Sequence, residues 1–341
     1  MIKTSDLLHL PYTPDLTEGG ISYACRSLVS SSNHIGGVSA EHLRQIVGGM
    51  SADLAFRRFL SENDIPFHVL GTAPFTCPDR YDVSLGGHRC ELKSYLITRR
   101  EQIARIRKDP AFALQAPALI PLDQFTAESH KPDDVYIFAF LLGVVAAARE
   151  EQHKAAAAGQ PVCLIHPLPE KWNYPEEWHP LEKLALKSEC EQPIRVEIGG
   201  LNEEPRAGTG TTSREFVTAT LELPPKKRVP VKQSFYSLAY VHAVRRPEAR
   251  IGLHSPSRGD AYIIPTHAWG NIWVYGMDII LTGWLTHEEY MNKSKVLNAG
   301  MHTFQNDRTR VKNMLVPMAE LNPLKPLFAR VRAWAGTSIN S

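Results

Sequence analysis

The chain has 341 residues, 43% of them hydrophobic and 22% charged, which is ordinary globular composition with apolar material enough for roughly two domains. Its formal net charge of +2 excludes a protein that holds nucleic acid by bulk charge, so any such site has to come from local clustering. Five scattered cysteines, none spaced as CxxC, argue against a disulfide framework and fit a reducing cytoplasm.

The start of the chain, MIKTSDLLHLPYTPDL, has no long apolar core and no small-residue cleavage pattern, so no signal peptide is expected. Residues 1–38 are rich in Pro, Gly and Ser and read as an irregular lead-in. A helix is predicted from Ser39, a good N-cap residue, with Leu43, Ile46, Val47, Met50 and Leu54 at helical spacing. The Gly48-Gly49 pair weakens its middle and leaves two helices as an alternative to one. A strand is expected over 66–70. The segment RYDVSLGGHRCELKSYLI, Arg80 to Ile97, alternates, turns at Gly86-Gly87 and alternates again, the pattern of a two-residue β-hairpin. A basic helix is expected from Thr98 to about Lys108, and then prolines at 110, 117 and 121 mark a loop. Val135 to Leu142, VYIFAFLL, reads as a strand buried on both faces. The apolar run from Val135 to Ala148 is broken by Gly143 and is too short to span a bilayer, so a soluble cytoplasmic protein with no membrane partner is expected.

An Ala-rich helix is expected over 146–158, followed by a Pro- and Trp-rich passage with poor periodicity to about Ser188. Strand-like segments follow at 194–198, 215–223, 235–244 and 262–265, with a Gly- and Thr-rich loop at 205–213. A strong apolar run at 271–285 leads into a helix near Thr286, with Glu288 and Glu289 in its first turn. The tail after Pro317 is expected to hold one short helix. The fold class is α/β (α+β): a mixed sheet flanked by helices, with a β-rich inserted or second module at 143–270.

The chemistry is concentrated in the hairpin. With Gly86 and Gly87 as loop residues, Val83 faces Cys90 and Asp82 faces Glu91, with opposed Cβ atoms about 4.5–5.5 Å apart. Lys93 lies two residues beyond Glu91 and shares its face. Two opposed carboxylates repel, and a bound divalent cation removes that cost. Carboxylate oxygens suit Mg²⁺ or Mn²⁺, which can hold a substrate phosphate at the same time. An ammonium beside them stabilises developing negative charge.

Asp82, eight intervening residues, then Glu91-Leu92-Lys93 resembles the signature of the PD-(D/E)xK, restriction-endonuclease-like nucleases. The resemblance covers residues 39–142, a nuclease core of helix, hairpin, helix and strand. It resumes at Asn271–Gly300, similar to the strand, GW-type turn and EEY helix late in such enzymes, so that 271–341 would complete the core. It implies a Mg²⁺- or Mn²⁺-dependent endonuclease acting on DNA, with RNA also open, in restriction or defence, as a homodimer or with other subunits. Asp82, Glu91 and Lys93 are the expected catalytic residues. Asp82 and Glu91 are the expected metal ligands together with Asp53 from the preceding helix, with Glu41 as the alternative to Asp53. Asp79, in the literal Pro78-Asp79 pair, competes with Asp82 but has the opposite parity in the hairpin. Arg99, Arg100, Gln102 and Arg105 after the hairpin are expected to contact nucleic acid. The alternative function is a non-catalytic nucleic-acid-binding subunit that keeps the fold. Lys226-Lys227-Arg228 reads as a solvated basic loop or a phosphate contact. Cys163, His166, His179 and Cys190 match no common zinc spacing.

Overall fold

The computed structural model describes residues 2–30, 40–69, 83–126, 130–146, 148–160, 162–173, 175–202, 216–259, 261–271, 275–305 and 308–338. The chain forms two compact units. One comprises Met1–Gly20, Gly48–Val144 and Gly276–Ser341, and the other Ile21–Val47 and Val145–Tyr275.

In chain order the first half carries β1 (Leu8–Leu10), α1 (Pro14–Ser30), α2 (Ala40–Glu62), β2 (Phe67–His68), β3 (Val83–Leu85) and β4 (His88–Ile97). Then come α3 (Arg100–Lys108), β5 (Pro117–Pro121), α4 (Leu122–Phe125) and β6 (Val135–Val144). The middle of the chain holds α5 (Arg149–Ala157), β7 (Leu164–Pro167), α6 (Glu170–Asn173), β8 (Ala185–Ser188), β9 (Ile194–Leu201) and β10 (Phe216–Leu223). It continues with β11 (Arg228–Pro230), β12 (Ser237–Ala243), β13 (Ile251–His254), β14 (Tyr262–Ile264) and β15 (Gly270–Asn271). The chain ends with β16 (Tyr275–Thr286), α7 (His287–Lys293), β17 (Lys295–Leu297), β18 (Asn313–Pro317) and α8 (Leu324–Ser338).

The first unit is built on a mixed sheet in the order β1-β16-β6-β4-β3-β2. Strands β2, β3 and β4 form an antiparallel meander, and β6 then joins β4 in parallel. The turn between β3 and β4 is set by Gly86 and Gly87, both at positive φ (58° and 86°), as a two-residue turn that matches the strand twist demands. All ten residues of β6 are buried, as its unbroken apolar run leads one to expect of a strand covered on both sides.

Side-chain alternation gives that sheet two distinct faces. Glu91, Lys93 and Tyr95 lie on one, in register with Tyr136, Phe138 and Phe140 of β6. Over this face Tyr290 of α7 stacks on Phe138, with ring centroids 5.9 Å apart. Its hydroxyl reaches the carbonyls of Ala118 and Met314 on the three-stranded sheet β17-β18-β5. The opposite face carries Ser94, and here α2 approaches: a Cβ placed on Gly49 would lie 3.8 Å from the Ser94 hydroxyl.

The second unit is β-rich. Its strands form a five-stranded sheet, β10-β9-β12-β7-β15, and a four-stranded sheet, β11-β8-β13-β14. One apolar cluster draws on both sheets, with Val196, Ile198 and Val241 from the first and Leu186, Ile251 and Leu253 from the second, joined by Trp172. Among the described residues the strands of this unit pair only with one another. The segment Ile21–Val47 also clusters with this unit.

Three sequence expectations give way. Residues 1–38 are not an irregular lead-in, since β1 and the 17-residue α1 lie within them. Pro14 at the helix start has the backbone angle a first turn needs, and Gly19 permits close packing, for a Cβ there would come within 2.7 Å of the Leu54 side chain. Gly48-Gly49 does not split α2, which runs unbroken from Ala40 to Glu62. Burial of Met50, Phe56 and Leu60 outweighs the roughly 1 kcal/mol that each helical glycine costs. The tail helix is not short: α8 spans 15 residues, with Leu324, Leu327, Phe328 and Val331 buried.

Candidate active site

The site grows from the start of β4. Glu91 is 7% exposed, and its carboxylate meets the Lys93 ammonium at 2.5 Å. Strand pleating puts both on one face. The Lys93 ammonium also donates to the Gln124 side-chain oxygen at 3.2 Å and lies 5.8 Å from the centre of the Tyr136 ring. Tyr136 is there because parallel pairing sets it directly beside Glu91.

Two histidines complete the patch. His130, in the loop before β6, lies 4.0 Å from the Glu91 carboxylate and 3.5 Å from that of Asp134, and its Nε2 bonds the Gln124 carbonyl at 3.0 Å. Its ring stacks on that of His287, with centroids 5.2 Å apart and planes 15° apart. Phe125 stacks on His287 as well, at 4.5 Å and 18°. His287 is the first residue of α7, and its backbone N–H donates to the Asp134 carbonyl at 2.7 Å.

The Tyr136 hydroxyl and His287 Nδ1 are 2.8 Å apart. Burial foremost, then the Glu91 and Asp134 carboxylates, push the Tyr136 phenol up, with Arg89 opposing. Burial foremost, then the neighbouring His130, push His287 down, while Asp134 and Glu91 act against the shift. Both shifts favour the neutral forms, so a protonated phenol and a neutral imidazole share this hydrogen bond. The patch thus combines a carboxylate, an ammonium and two imidazoles with a phenol, walled by aromatic rings.

Of the residues expected from sequence, Glu91 and Lys93 are brought together. Asp82 and Asp79 lie outside the described residues, and the observed hairpin register ends at Val83↔Cys90. Asp53 is buried and paired with Arg57 at 2.6 Å. It sits one turn beyond Gly49, on the helix that approaches the Ser94 face of the sheet, whereas Glu91 and Lys93 have the other parity. Glu41 is exposed. Among the described residues no group of three or more His, Cys, Asp or Glu is arranged to hold a metal ion.

The basic residues expected to contact nucleic acid lie on and just before α3. α3 begins beyond Ile97, four residues or about 13 Å past Lys93 along the strand, at the far end from Glu91. Gln102 donates to the Phe304 carbonyl at 2.8 Å, and the Arg105 guanidinium covers the Phe112 ring at 3.8 Å. Arg107 pairs with Asp278 at 2.7 Å. Arg99 and Arg100 are exposed.

Sequence reasoning missed His130, Asp134, Tyr136 and His287. Tyr136 had a signal, as the polar residue in the apolar run of the strand that follows the hairpin. The two histidines had none, because they meet through contacts between segments more than 150 residues apart.

No family model matches the chain, and no curated protein or solved structure matches it either. No helix among the described residues is long and apolar enough to cross a membrane.

Proposed function

We propose that the protein is a metal-dependent endonuclease of the PD-(D/E)xK class, hydrolysing phosphodiester bonds of DNA at a centre formed by Asp82, Glu91 and Lys93. The observation that carries this reading is the Glu91–Lys93 pair at 2.5 Å at the start of β4, beside a strand paired in parallel. The order helix, hairpin, helix and parallel strand (α2, β3–β4, α3, β6) supports it, because it is the order that the resemblance implies for a restriction-endonuclease-like core. The Thr286–Glu289 capping box that starts α7 behind β16 is in keeping with the late strand-to-helix segment of such enzymes.

The donor set fits Mg²⁺ or Mn²⁺ in part. Glu91 supplies one carboxylate, and Mg²⁺ commonly uses one or two with water and substrate phosphate. The second carboxylate is assigned to Asp82. Bound metal supplies Lewis acidity for the phosphoryl oxygen and a readily ionised water. Lys93 orients the attacking water and offsets charge that develops on the phosphoryl group. Phe125, Tyr136 and the stacked imidazoles keep bulk water from the pair.

The test is incubation of the protein with plasmid and Mg²⁺ or Mn²⁺, with EDTA as control. Metal-dependent cleavage that disappears in Lys93→Ala is expected. Tight binding without cleavage would instead make the chain a non-catalytic subunit, and the absence of both binding and cleavage would overturn the reading altogether.

A further inference from the structure

The β-rich unit contains a cleft of about 170 Å³, well below the roughly 300 Å³ at which clefts begin to take a drug-sized ligand. It lies where α5 meets the turn after β12, and Gln152, His153, Val162, Arg245, Arg246 and Glu248 line it. Two arginines in a small cleft suit one compact anion.

The arginines are held in place. Arg246 donates from one terminal nitrogen to the Gln152 side-chain oxygen at 2.8 Å and from the other to the Thr266 carbonyl at 3.1 Å. Gln152 is only 3% exposed, and its own amide is fixed on the Ala146 carbonyl at 3.1 Å. Arg245 donates to the Pro193 carbonyl at 2.6 Å and lies 3.9 Å from Glu248. A guanidinium has five N–H donors. These contacts use two on Arg246 and one on Arg245, plus a long ion pair, so several donors remain on guanidiniums whose orientation is already set. Neutral acceptors hold Arg246. Among the described residues Glu248 is the carboxylate that pairs with these arginines, 3.9 Å from Arg245.

We propose that this cleft is a phosphate-binding subsite, in which Arg245 and Arg246 grip a phosphoryl group of a nucleotide or of a polynucleotide backbone. Planar guanidiniums take two phosphate oxygens at once, which a flexible ammonium does not. Prior anchoring by Gln152 and Thr266 lowers the ordering cost of binding. The assignment stands independently of the reaction proposed at Glu91 and Lys93.

The experiment is calorimetric titration of the full-length protein with inorganic phosphate, a nucleoside monophosphate and a dinucleoside monophosphate. Saturable binding of inorganic phosphate is expected, weakened at least tenfold in Arg245→Gln/Arg246→Gln, strengthened severalfold in Glu248→Gln and unchanged in Lys93→Ala. Tighter binding of the monoester points to a nucleotide source, and tighter binding of the diester to a polynucleotide. Arg246→Lys, which keeps the charge and loses the fork, should weaken binding by an intermediate factor and guards against misfolding of the double variant. Absence of phosphate binding, binding unchanged in the double variant and in Arg246→Lys, or binding abolished by Lys93→Ala would each overturn the assignment.

Discussion

The Glu91–Lys93 pair makes a prediction that separates stability from activity. Lys93→Met removes the ammonium and keeps most of the apolar stem. It strands the Glu91 carboxylate, whose side chain retains 10% of its surface while that of Lys93 retains 17%. Breaking a well-buried pair costs roughly 3–5 kcal/mol. Residual solvent exposure of the two side chains softens the loss here, to about 2–3 kcal/mol on the same scale. Adding Glu91→Gln removes the stranded charge, so the double variant should recover about 2 kcal/mol relative to the sum of the single losses. Hydrogen exchange of the β4 and β6 amides at graded urea concentration reads this sheet alone. Cleavage should behave otherwise. Lys93→Met should fall at least ~100-fold through lost charge stabilisation, and the double variant should not recover. Strictly additive stability losses would show that the pair is not formed in solution, and wild-type cleavage by Lys93→Met would remove Lys93 from the mechanism.

Other positions give sharp expectations. Tyr290 is fully buried, with its hydroxyl on two carbonyls, so Tyr290→Phe should lower stability by about 1–2 kcal/mol with the urea midpoint as readout and cleavage unaffected. A Cβ on Gly199 would fall 2.3 Å from the Tyr240 ring, so Gly199→Ala should cost roughly 1–3 kcal/mol by overpacking. An unchanged melting temperature would refute that close approach. Burial pushes His242 down to about 4 from 6.5, so the unfolded chain takes up the proton first. The stability this contributes is complete above about pH 6.5 and drains away toward about pH 4, by up to roughly 3 kcal/mol. Denaturation curves for His242→Leu should be flatter over that window, and an identical slope in both proteins would sink the argument.

The sequence by itself determined the local geometry of the site. Two consecutive glycines can take the positive φ of a tight hairpin turn where other residues resist it, so the pairing of β3 with β4 was legible down to Val83↔Cys90. Period-two alternation then put Glu91 and Lys93 on one face whatever the rest of the chain does. The unbroken apolar run of β6 likewise marked a strand covered on both sides. Only the tertiary structure decided what surrounds the pair. Tyr136 stands beside Glu91 because β6 pairs in parallel at one register out of several that a uniformly apolar strand permits. His130 and His287 meet because a loop and a helix start converge over that face. Asp53, chosen by its position along α2, is paired with Arg57, and which side of the sheet α2 packs on is settled by global packing. Local rules fix the direction in which a side chain points from its own strand. The neighbours it finds there are set by contacts between distant segments, and no short-range period in the sequence encodes those.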